Sequence, residues 1–112
     1  HCRVRWFDPI ERRAGVPQDV AVLVDEMKDE QFSVTIVNLS PTASRDVVMQ
    51  GGAYGEHLLT EAAVDGKTTT VNSPLLNLHL APGAGQRIVV RTKRYACQPS
   101  LSFPWDRWQA AQ

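Results

Sequence analysis

The chain has 112 residues, enough for one domain with its own apolar core and too few for two. Twelve basic and twelve acidic side chains cancel, so no net field draws nucleic acid or an anionic membrane to this surface, and neither is expected as a partner. Apolar runs such as residues 20–24 fall far short of the roughly 20 residues of a membrane helix, and no leader pattern opens the chain; a soluble piece is expected, and the residues name no compartment. The first residue is His1 rather than Met, which suggests a piece cut from a longer protein, a processed chain or a tag remnant.

Residues 2–8 alternate, with Val4 and Trp6 on one face and Arg3 and Arg5 on the other, so a strand is expected up to Pro9, with Trp6 in the core. Residues 10–16 are charged and run into Gly15, which predicts a loop. Over 17–27 Pro17 and Asp19 suit a helix start, and Val20, Leu23, Val24 and Met27 recur at helical spacing. A short helix is expected there, although Val-Ala-Val-Leu-Val also suits a buried strand. Phe32, Val34, Ile36 and Asn38 then line one face of the clearest strand, which Pro41 ends.

Residues 45–50 return as a hairpin partner. Gly51, Gly52 and Gly55 bracket a loop in which the backbone can take positive φ or approach another group closely. Strands are expected over 57–64 and 67–71, joined by the two-residue hairpin signal Asp65-Gly66, the second strand being Thr-rich and solvent-facing. Leu76, Leu78 and Leu80 form an inward row, and Ile88 and Val90 another. Residues 95–108, rich in proline and aromatics, are expected to pack as an extended arm across the sandwich, with 109–112 fraying. The whole reads as a mainly β, antiparallel β-sandwich, immunoglobulin-like or jelly-roll-like, with one short N-terminal helix, filling 1–112 as a single domain. Cys2 and Cys97 could meet on adjacent strands, which leaves a bridge geometrically open; without CxxC spacing or clustered histidines they are no zinc site.

The succession Val34-Thr35-Ile36-Val37-Asn38, then Leu76-Asn77-Leu78-His79-Leu80-Ala81-Pro82-Gly83, then Ile88-Val89-Val90, resembles the C-terminal accessory β-sandwich domains of large bacterial carbohydrate-active enzymes. In those a V-x-V-x-N strand precedes a final L-x-L-x-P-G hairpin. The likeness spans residues 32–92. It implies an accessory role beside a catalytic domain, often an α/α-toroid or a barrel, and no particular substrate. No catalytic residue carries over, since in such proteins those lie in the other domain.

Glu56 with Glu61, or Asp25 with Glu26, are the acids a hydrolytic pair would need, but such spacings are ordinary on a surface. No GxSxG, HExxH or phosphate-cradling loop accompanies them, so no catalytic residue, metal ligand or cofactor is assigned. Two clusters are candidates for binding. Tyr54, Glu56 and His57 put a phenol, a carboxylate and an imidazole on one loop; the alternative is that Tyr54 caps the sandwich end and Glu56 pairs with His57. Trp105 and Trp108 could form an aromatic platform for sugar rings, with Arg107 supplying directional hydrogen bonds. The competing reading buries those rings against the sandwich or against an absent catalytic domain. The expectation is a non-catalytic accessory module whose partner is a neighbouring domain of the same polypeptide. The alternative is a carbohydrate-binding module with a glycan as partner, and a third reading is self-association through an uncovered edge strand.

Overall fold

The computed structural model describes residues 4–28, 30–100 and 102–105. Two antiparallel sheets pack face to face as a β-sandwich. The first has the order β2 (Arg13–Ala14), β1 (Val4–Asp8), β5 (Arg45–Gly51), β8 (Leu75–Leu80); the second has the order β3 (Val20–Met27), β4 (Gln31–Asn38), β9 (Gly85–Lys93), β6 (Leu58–Val64), β7 (Lys67–Ser73). Phe32, Val34, Ile36, Leu59, Ile88 and Val90 of the second sheet meet Val47, Met49 and Leu80 of the first, all at 0–1% exposure. Phe32 stands opposite Val90 and Val34 opposite Ile88, so the cross-strand pairs that align β4 with β9 also form the centre of the core. Trp6, Leu76 and Leu78 pack on this core, half-buried, as their alternation requires. The outer face of β5 is covered too: Phe7, Val48 and Leu75 form a second cluster with Trp105 of the C-terminal arm.

The expected helix over 17–27 is a strand. Residues Val20 to Met27 pair with β4 from Val20 opposite Asn38 to Met27 opposite Phe32, with a bulge between Val24 and Glu26. Valines at 20, 22 and 24 suit a pleated surface, and an isolated helix of this length has little stability in water. Pro17 and Asp19 build a tight turn instead, closed by the Val20 N–H donating to Pro17 O at 3.2 Å, with Asp19 at φ 67°. The loop expected over 10–16 also contains a short strand. The buried Asp8 carboxylate accepts the N–H groups of Ile10 and Glu11, both at 3.1 Å, and this turn brings Arg13 and Ala14 back against Asp8 and Phe7. The Asp65-Gly66 hairpin forms as expected, both residues at positive φ (52° and 79°) between Val64 and Lys67.

Five connections cross between the sheets, and each leaves backbone groups beyond the ladders. Side-chain groups supply partners at all five crossings, Arg45 Nε donating to Gln18 O at 3.0 Å between β2 and β3. Asn38, fully buried, donates from Nδ2 to Ala43 O at 2.8 Å and to Leu80 O and Ala81 O at 3.2 Å, while its Oδ1 accepts the Ser40 N–H at 3.0 Å. One amide thus serves both the β4–β5 and the β8–β9 crossings. Ser40 Oγ accepts the Ala43 N–H, Gln50 Nε2 donates to Gly52 O and Ala53 O, and Ser73 Oγ accepts the Leu75 N–H.

In urea unfolding, Phe32→Ala is expected to lower stability by about 3–5 kcal/mol through loss of burial plus a cavity. Asn38→Ala, which removes little apolar surface but leaves interior carbonyls without a donor, should cost about 1–3 kcal/mol. Leu39→Ala, at a site 66% exposed, is the control expected within about 0.5 kcal/mol of the parent.

Candidate functional site

The β5–β6 crossing holds the first cluster. The His57 N–H donates to Gly51 O at 3.2 Å, closing residues 51–57 into a compact loop. A side chain at Gly51 would lie 2.5 Å from the His57 carbonyl oxygen, so only glycine permits this approach. Gly52, at φ 85°, leaves room for the Glu56 carboxylate, whose Oε2 accepts the Tyr54 N–H at 3.1 Å. A Cβ on Gly52 would stand 2.0 Å from Glu56 Oε1. The loop glycines therefore act as the sequence indicated, one by close approach and one by positive φ.

His57 is 3% exposed, and its Nδ1 accepts the Tyr95 N–H at 3.0 Å. That bond places the imidazole proton on Nε2, which faces Glu56 Oε1 at 3.8 Å, so the expected Glu56–His57 pairing is present as a loose contact. Burial lowers the His57 pKa below its ordinary 6.5; Glu56 opposes the shift and Arg94 adds to it. Tyr95 sits at φ 54°, a conformation that a bulky side chain holds only where its surroundings impose it. Its ring stands edge-on to His57 at 4.8 Å, with the Arg94 guanidinium 5.6 Å from its centre. The following segment lies along the loop, Cys97 N–H donating to Glu56 O and Ser100 N–H to Tyr54 O. Cys97 is half-buried, and Cys2 lies outside the described residues. Tyr54 and Tyr95, 50% and 73% exposed, present ring surface at this end. Arg94 and Tyr95 escaped the sequence reading because nothing local marks a positive φ at a tyrosine.

Trp105 belongs to a separate cluster. Its half-buried ring stacks on Phe103 at 4.9 Å and 6°, and both rings stand edge-on to Phe7 at about 6 Å. Arg5 covers Phe7 with its guanidinium 4.9 Å from the ring centre. Arg107 and Trp108, like the residues expected to fray, lie outside the described residues. Glu61 is exposed on β6, and the second acid pair is tied to cations, Asp25 to Arg87 at 3.2 Å and Glu26 to Lys28 at 2.9 Å.

Two of the surface depressions bear on these clusters and on the β3 edge. One of about 300 Å³ lies beside the β1–β2 turn, where Arg45 is engaged with Asp19 at 3.2 Å and Asp46 with His79 at 2.6 Å. The other, about 460 Å³, is a largely apolar slot between the sheets lined by Val4, Trp6, Val16, Val22 and Val24 together with Arg5 and Gly15. Among the described residues no group of three or more His, Cys, Asp or Glu side chains could hold a metal ion, and no helix is long and apolar enough to cross a membrane. No protein-family model, curated protein or solved structure matches this chain.

The His57 geometry sets a pH dependence. The folded chain resists protonation that the unfolded chain accepts from about pH 6.5 downward, so this contribution is complete above that pH and is lost as pH falls towards the lowered folded value. Melting temperature should drop between pH 7 and pH 5. His57→Asn, which retains an acceptor towards the Tyr95 N–H but does not titrate, should flatten that slope; a parent chain with no slope would contradict the assignment.

Proposed function

We propose that this β-sandwich is a non-catalytic accessory module that packs against a neighbouring domain of a larger bacterial protein. The observation that carries the reading is the apolar surface along one side of the sandwich. Leu23 and Val24 of β3 are 63% and 39% exposed, next to the slot lined by Trp6, Val16 and Val22. Apolar groups gathered at an unpaired strand edge mark interaction surfaces, whereas isolated exposed ones do not. The engagement of Trp105 by Phe103 and Phe7 supports a packing role for the arm. The resemblance of residues 32–92 supports a carbohydrate-active catalytic domain as the neighbour.

Glycan binding is the second reading, and the exposed rings of Tyr54 and Tyr95 beside Glu56 favour placing it on the β5–β6 loop. Tyr54→Ala should then weaken saturable binding to a polysaccharide panel followed by intrinsic fluorescence, and a flat response to every polymer would dismiss it.

The accessory reading is tested in the longer polypeptide. Removing this module should lower the melting temperature of the domain beside it by several degrees. Unchanged stability and activity after removal would refute the proposal.

A further inference from the structure

The chain beyond β9 is held to the sandwich at two places. Residues 94–100 run along the β5–β6 loop, where three main-chain N–H groups pin them: Tyr95 donates to His57 Nδ1 at 3.0 Å, Cys97 to Glu56 O at 3.1 Å and Ser100 to Tyr54 O at 2.8 Å. Phe103 and Trp105 then close over Phe7, which is 1% exposed. Two of the three pins end on carbonyl oxygens, which accept at any ordinary pH. The first ends on an imidazole nitrogen, which accepts only while the ring is neutral. It also holds Tyr95 at φ 54°, a conformation that a tyrosine leaves when nothing imposes it.

We propose that the His57–Tyr95 bond is a proton-operated latch: protonation of His57 frees residues 94–100 from the loop and lifts Phe103 and Trp105 off Phe7, while the two sheets stay closed. An imidazolium carries a donor on both ring nitrogens and no acceptor, so neither a ring flip nor a change of tautomer restores a partner for the Tyr95 N–H. Two donors then face each other across the former 3.0 Å bond, and the Tyr95 backbone relaxes. Among the described residues two charged groups face the ring: Glu56 from the loop, with Oε1 3.8 Å from Nε2, and Arg94 from just past the end of β9. Burial opposes the imidazolium most and Arg94 adds to that, while Glu56 favours it. Opening the latch removes the burial, so the open arm binds the proton more tightly than the closed one and acidification favours opening. The centre of the sandwich has no such dependence, since Phe32, Val34, Ile36, Ile88 and Val90 do not titrate.

Amide hydrogen exchange followed by NMR between pH 7 and pH 5 tests the latch, each rate being divided by its intrinsic value at that pH. Protection of the Tyr95 amide should fall by up to about tenfold per pH unit below the ordinary histidine value of 6.5, with Cys97 and Ser100 following, while the core amides of β4 and β9 keep theirs. The Trp105 indole N–H signal should shift on the same pH course. His57→Asn should make Tyr95 protection independent of pH. Should that variant fail to fold, two charge variants replace it: Glu56→Gln, which removes the group favouring the imidazolium, should deepen the fall, and Arg94→Gln should lessen it. Loss of protection at every amide together would report global unfolding and overturn the latch, as would a Tyr95 amide indifferent to pH. Opening at Tyr95 with an unmoved Trp105 signal would overturn the release of the aromatic pair.

Discussion

The architecture depends on satisfying backbone polar groups where the chain leaves one sheet for the other. A sandwich that crosses five times between layers interrupts its ladders five times, and an interior amide without a partner costs far more than a made bond returns. Asn38 meets that constraint at two crossings with one side chain, held at 0% exposure just beyond Ile36 on the inward face of β4. Its hydrogen bonds tie the end of β4 to the end of β8 and the turn that follows. Gln50 stands near the end of β5, donating to the carbonyls of Gly52 and Ala53, while its own Oε1 has no hydrogen-bond partner among the described residues. Polar residues at the ends of apolar rows therefore belong to the core as much as the rows themselves do.

The same principle shapes the loop cluster. His57 is buried as a hydrogen-bond acceptor for a main-chain N–H that would otherwise go unpaired, and Tyr95 keeps its strained backbone because that bond and the ring contact hold it. Glu56 organises the other side of the loop through the Tyr54 amide. The result is a rigid support under two exposed tyrosine rings. At the outer face of the first sheet, Phe103 and Trp105 cover Phe7, which explains why β5 is buried on both faces although its strand belongs to an antiparallel sheet.

Much of this was legible in the residues. Alternation in β4 and β9 and the Asp65-Gly66 turn are local signals, and each reappears at the expected place. The β3 segment is different: Val20, Leu23 and Val24 satisfy a helical spacing, while Val20, Val22 and Val24 satisfy a strand. The choice is made by pairing with β4, which local periodicity does not contain. β2 likewise exists through the Asp8 turn and not through any pattern of its own. In the site, Tyr54, Glu56 and His57 are neighbours in the chain and could be proposed together. Tyr95 comes from 38 residues away, joined by a bond to an imidazole nitrogen. Trp105 was legible as an aromatic anchor or a platform, whereas its contact with Phe7, nearly a hundred residues earlier, was not.

The position of β9 has a further consequence for how the chain acquires its structure. The last strand in sequence lies in the middle of the second sheet, between β4 and β6. Phe32 must wait for Val90, 58 residues later, before the two sides of that sheet can join. During synthesis the hairpins β3–β4 and β6–β7 can form as separate units, with the β4 and β6 margins unsatisfied until β9 emerges and zips them together. Assembly is thus governed by long-range closure and is slow relative to helical domains of this size, and the late β9 segment is where a growing chain is most open to mispairing.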